Sequence, residues 1–160
     1  MPACNKKTAY AQLFRFALLL VCLLMSGCKT NFFTPKIALS DLSVIAAPNA
    51  NDDSPVAFEI VMVKDEALAA KLLTLTAAQW FDPAATWKID FPQQLQTWYY
   101  ELPPGKQIVL NPTEFAGKSS YAVLLFANYR NNSPNRLRLE TYSKATVLLA
   151  EKDIKLQVGT

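Results

Sequence analysis

The chain predicts an all-β fold, a sandwich of seven or eight short strands with a small helical insertion between strands two and three. Three observations carry this. Runs of β-branched and aromatic residues recur between polar turns, only the stretch after residue 64 has helical composition and spacing, and no internal repeat or low-complexity segment is present.

The domain opens at "KIALSDLSVIAA". Its apolar phase shifts from Ile37/Leu39 to Leu42/Val44, as a strand with a bulge would show. "PNANDDSP", residues 48–55, is a polar loop bracketed by prolines, built from side chains that close backbone hydrogen bonds locally. "VAFEIVMVK" then alternates, with Val56, Phe58, Ile60 and Met62 on one face and Ala57, Glu59, Val61 and Val63 on the other. Glu59 is the only charge inside that strand, so both of its faces are expected to be covered.

At Asp65 the character changes. "DEALAAKLLTL" places acids at a helix start, where the dipole favours them, and Leu68, Leu72 and Leu75 at helical spacing. Thr76 is an N-cap for a further short turn that Pro83 ends. "QTWYYEL" is β-forming, "PPGK" is a turn into "QIVL", and "SYAVLLFANY" is a central, nearly continuous apolar strand. "RNNSPN" turns the chain into "RLRLETYS", where Arg136, Arg138 and Glu140 alternate with Leu137, Leu139 and Thr141, predicting one wet face. "ATVLLAEKDIKLQV" adds one or two strands around Glu151, Lys152 and Asp153.

Ahead of this domain, residues 16–25 are uncharged and end at Ser26-Gly27-Cys28, with Lys6, Lys7 and Arg15 upstream and no acid before Asp41. Ten helical residues rise about 15 Å, half of a bilayer's hydrocarbon thickness, so the run is too short to span. A positive start, a short apolar core and small residues at its end make a secretory signal. Met25-Ser26-Gly27-Cys28 resembles the bacterial lipobox, in which cleavage falls just before a cysteine carrying diacylglycerol. The expected organisation is a removed signal peptide at 1–27, a lipidated tether at 28–35 and a β-sandwich at 36–160. Cys28 would carry diacylglycerol and an N-acyl chain, because one acyl chain anchors only marginally, at about 0.8 kcal/mol per CH₂. Lys29 after the anchor favours the outer membrane, on its periplasmic face.

Composition excludes several chemistries. The three charges within 1–27 are all basic, so the net +3 belongs to the signal, and residues 28–160 balance 13 Lys+Arg against 13 Asp+Glu. That leaves no basic footprint for nucleic acid. Histidine is absent, and Cys28 is the only cysteine after cleavage, so imidazole catalysis, thiolate metal sites and an internal disulfide are ruled out. None of the four glycines forms a phosphate-cradling loop. A non-enzymatic protein without cofactor, metal or small-molecule substrate is expected. Trp80, Trp87 and Trp98, with Phe81, Phe91, Tyr99 and Tyr100, crowd one region. They either pack the insertion onto the sandwich or form a glycan-binding platform.

Taken in order, the lipobox, "PNANDDSPVAFEIVMVKDEAL", "LTLTAAQWF", "LPPGKQIVL" and "SYAVLLFANYRNNSPNRLRL" resemble the outer-membrane lipoprotein of type VI secretion systems, the TssJ family (also VasD or SciN). Asn49 and Pro55 match its loop, Pro104-Gly105 its turn, Tyr121 to Arg130 its late strand and Arg136 its Arg-rich one. The resemblance implies a transthyretin-like sandwich docking the periplasmic C-terminal domain of the inner-membrane TssM-type protein, with a TssL-type protein in the same complex. It also implies that the first interstrand loop, Asn49, Ala50, Asn51, Asp52, Asp53 and Ser54, contacts that partner. The alternative is a periplasm-facing lipoprotein that binds glycan or peptidoglycan through the aromatic surface.

Overall fold

A computed structural model describes residues 34–131 and 133–158, so the signal peptide, Cys28 and the tether up to residue 33 lie outside the described residues. Among those described, eight strands form two four-stranded sheets. One sheet contains β1 (Asp41–Ala46), β4 (Gln107–Leu110), β7 (Lys144–Leu149) and β8 (Ile154–Val158), in the order β4-β1-β7-β8. The other contains β2 (Val56–Val63), β3 (Leu95–Leu102), β5 (Ala122–Asn128) and β6 (Arg136–Arg138), in the order β3-β2-β5-β6. β1 and β7 run parallel, and the other pairs are antiparallel. This is the all-β two-sheet sandwich that the alternating runs predict.

The phase shift before β1 has a backbone cause. The N–H groups of Ser40 and Asp41 both donate to the carbonyl of Ser143, at 2.8 and 3.2 Å. The chain slips one residue there, so Ile37 and Leu39 are buried before the slip and Leu42, Val44 and Ala46 after it.

β2 is buried on both faces, as its sequence predicts. Val56, Phe58, Ile60 and Met62 join the core between the sheets, while Val61 and Val63 join a second core with Leu124 and Phe126 of β5. Three short helices between β2 and β3 belong to that second core: α1 (Glu66–Leu72), α2 (Ala77–Trp80) and α3 (Trp87–Asp90). Asp65 caps α1 by accepting from Leu68 N–H at 2.7 Å. Thr76 caps α2 in a reciprocal box with Gln79. α3 was not foreseen. The preceding N-cap residue, Thr86, makes no side-chain capping bond, and α3 is held instead by Lys88 on Glu59 and by Trp87 packed against Phe91.

Glu59 is the one charge in this second core, at 2% exposed. Trp80 lies flat on Phe126, with ring centroids 5.0 Å apart and planes 7° apart, and its Nε1–H donates to Glu59 at 2.9 Å. Lys88 Nζ completes the shell at 3.2 Å.

One expectation is corrected. The alternation along "RLRLETYS" holds only to Arg138, where β6 ends. Leu139 and Glu140 are both buried, so Glu140 is not on a wet face. Its carboxylate accepts from Val123 N–H at 3.0 Å and pairs with Arg138. A side chain thus takes the place of a ladder carbonyl where β5 loses its neighbour.

Glu59→Ala leaves a buried indole N–H without an acceptor and is expected to lower stability by about 2 kcal/mol. Glu59→Gln, which keeps an acceptor, should lose about half as much. Urea unfolding midpoints of the two variants against wild type check the order.

Candidate functional site

Strand order places the β1–β2, β3–β4, β5–β6 and β7–β8 connections at one end of the sandwich. The first described residues lie at the other end, where Pro35 O accepts from Ser120 N–H and Ile37 N–H donates to Lys118 O.

The β1–β2 loop makes a left-handed turn. Asn51, Asp52 and Asp53 have φ of 49, 53 and 59°, and Ser54 N–H closes the turn onto Ala50 O at 3.1 Å. Left-handed backbone costs about 1–2 kcal/mol per residue, least for Asn and Asp, which explains the residue types. Asn51 offsets that cost. Its amide is buried, with Nδ2–H donating to Pro55 O at 3.2 Å and Oδ1 accepting from Arg130 N–H at 3.1 Å. Ala50 is also buried. Of the six loop residues expected to touch a partner, Asn49, Asp52 and Asp53 are exposed and Ser54 is half-buried. Asn49 Nδ2–H reaches Glu151 Oε2 at 2.9 Å.

The other loops are tied to this one. Gly105, at φ 72°, donates its N–H to Ala46 O at 3.0 Å, and Lys106 O accepts from Ala46 N–H at 2.8 Å. The Tyr129 hydroxyl sits 2.9 and 3.0 Å from the carbonyls of Ala150 and Asp153, between which it donates. Asn131 Nδ2–H donates to Lys152 O at 2.6 Å. Burial, and then the charge of Asp153, push the Tyr129 phenol well above its ordinary value. Beside the loop lies a cleft of about 310 Å³. Its floor is Ala57, flanked in one cross-strand row by Glu101 and Asn128. The result is a hydrogen-bonded rim carrying exposed carboxylates, amides and Arg130.

Sequence reasoning does not single out Tyr129, Arg130 and Asn131, which it places only at a strand end and in a turn. The signal available was the aromatic-polar run "NYRNNSPN" facing a proline-bracketed loop. The aromatic cluster divides. Trp80 is buried, Trp98 meets Phe115 edge-on at 6.0 Å and Tyr100 stacks on Phe58 at 5.2 Å, while Tyr99 is 57% exposed. Most of these rings pack structure. Among the described residues no group of three or more His, Cys, Asp or Glu could hold a metal ion, and no helix is long and apolar enough to cross a membrane.

No family model matches the chain, and no curated protein matches its sequence. Solved structures do match in fold. The T6SS lipoprotein TssJ1 from Pseudomonas aeruginosa is similar with a TM-score of 0.56 at 16% identity, over 75% of this chain and 95% of that one. Serratia marcescens Lip, a membrane bound component of the type VI secretion system, is similar with a TM-score of 0.51 at 12% identity, over 73% and 95%. The structure of the T6SS protein TssM C-terminal domain from EAEC also contains a similar chain, with a TM-score of 0.54 at 12% identity, over 73% and 98%. At such identities the likeness is one of fold.

Asn51→Ala removes both amide bonds and puts a Cβ-bearing residue without a polar side chain at φ 49°. It is expected to cost about 2–4 kcal/mol, against less than about 0.5 kcal/mol for Asp52→Asn, read as thermal midpoints. A second expectation concerns alkaline pH. The folded Tyr129 pKa lies above that of the unfolded chain, so its contribution is complete below about pH 10 and fades as pH rises towards the folded value. Wild-type urea midpoints should therefore fall more steeply above about pH 10 than those of Tyr129→Phe.

Proposed function

We propose that this chain is an outer-membrane-anchored lipoprotein of the TssJ kind, part of a type VI secretion membrane complex, and that it is not an enzyme. The observation that carries the reading is the arrangement of its ends. Among the first described residues, Pro35 to Ile37 lie at one end of the sandwich, and the hydrogen-bonded rim of four loops occupies the other. A domain hung from the periplasmic face of the outer membrane by acyl chains on Cys28 would present that rim towards the inner membrane. The fold it shares with TssJ1 and Lip supports the assignment.

In this reading the rim docks the periplasmic C-terminal domain of a TssM-type inner-membrane protein, with a TssL-type protein in the same assembly. Asn49, Asp52 and Asp53 supply the exposed contacts, and Ala50 and Asn51 hold the loop in its bound shape beforehand. A loop that is already ordered loses less entropy on binding, which raises affinity without new contacts.

Cys28→Ser is expected to move the protein from the membrane to the soluble periplasmic fraction with an unchanged unfolding midpoint. Continued membrane recovery of the variant would sink the anchoring claim. Affinity capture from intact envelopes tests docking. The Asp52→Lys/Asp53→Lys double variant should recover at least about tenfold less of the TssM-type protein than wild type. Equal recovery would place the contact elsewhere.

A further inference from the structure

The helical insertion holds a second concavity, away from the rim. A cleft of about 510 Å³, within the size range of small-ligand sites, is lined by Lys71, Gln79, Asp82, Trp87, Asp90 and Phe91. Trp87 and Phe91 form its aromatic wall, with ring centroids 6.4 Å apart and planes 20° apart.

The polar groups around this wall are each fixed by one atom and leave another free. Gln79 Oε1 accepts from Thr76 N–H at 2.8 Å, so its amide N–H groups have no partner among the described residues. Asp82 Oδ1 accepts from Ala84 N–H at 2.9 Å, leaving Oδ2. Asp90 Oδ2 accepts from the Thr86 hydroxyl, leaving Oδ1. Lys71 Nζ stands 4.9 Å from the Trp87 ring centroid. Two oriented acceptors and two donor groups therefore surround an aromatic face, each restrained by packing or by a hydrogen bond.

We propose that this cleft binds a neutral, hydroxyl-rich ligand, a glycan built of N-acetylated hexosamine units. Sugar hydroxyls are donors for the free carboxylate oxygens, and the Gln79 amide and Lys71 supply donors for hydroxyl and acetamide oxygens. The aromatic wall suits the C–H face of a sugar ring. Other ligand classes fit less well. A cation would be repelled by the Lys71 ammonium standing over Trp87, whereas a neutral sugar ring displaces that exposed side chain and accepts from it. An anion would meet two carboxylates against one ammonium. A wholly apolar ligand would cover these polar groups without satisfying them.

The test is isothermal titration of the full-length lipoprotein, purified in detergent micelles, with chitotetraose, cellotetraose and choline chloride. Saturable binding of chitotetraose is expected, weakened about fivefold to tenfold by Asp82→Asn and by Asp90→Asn, which alter exposed side chains and spare the fold. Trp87→Leu should weaken it further, and Trp98→Leu should leave it unchanged. No saturation by about 10 mM chitotetraose, or affinities indifferent to both Asp→Asn changes, would overturn the proposal. Equal binding of cellotetraose would remove the hexosamine requirement, and tighter binding of choline would make this a cation site instead.

Discussion

β2 and β5 are apolar on both faces, and the rest of the molecule is arranged around that constraint. One face of each closes the core between the sheets. The other face would expose Val61, Val63, Leu124 and Phe126 to water if nothing covered it, and burying such side chains is worth about 1.5–3 kcal/mol each. The insertion supplies the cover with three helices too short to be stable alone. Glu59 sets the position of that cover. A carboxylate buried in an apolar face needs partners, and the two it has, Trp80 and Lys88, come from two of the three helices.

The opposite requirement operates at the rim. There the backbone leaves regular structure, and polar groups must be satisfied without strands. Asn51 bonds its own loop and the backbone of Arg130, and Tyr129 bonds the β7–β8 turn, so three connections are joined through side chains and the β3–β4 turn through its backbone. This bracing suits the rim to presenting a fixed surface, because the exposed Asn49, Asp52 and Asp53 project from a loop whose conformation is already determined. The insertion cleft has the same character, since the Gln79, Asp82 and Asp90 side chains are each oriented by hydrogen bonds.

Much of this was legible in the sequence where short-range chemistry decides. Asp65 and Thr76 cap helices because their side chains reach N–H groups three residues on. The double-sided burial of β2 follows from the alternation of period two, while the segment around Glu151, Lys152 and Asp153, legible as one or two strands, is a two-stranded hairpin. α3 was not legible because its stability lies in contacts with Glu59 and Phe91 rather than in its own capping. Glu140 misled for a related reason. Its place in the alternating pattern predicts exposure, but β5 needed an acceptor at Val123, and the chain turned to provide one.

By itself the sequence determined the all-β class, the place of the insertion, the loop at 48–55 and the expectation of a lipid on Cys28. Each rests on residue chemistry within a few positions along the chain. Only the tertiary structure decided that Ala50 and Asn51 face inward, that Tyr129 and Arg130 belong to the same rim, and that Trp80 is core while Trp87 borders a cleft. Those outcomes depend on groups far apart in sequence competing for the same partners, as when Asn51 and Arg130, 79 residues apart, share one hydrogen bond. Local pattern carries no record of that competition.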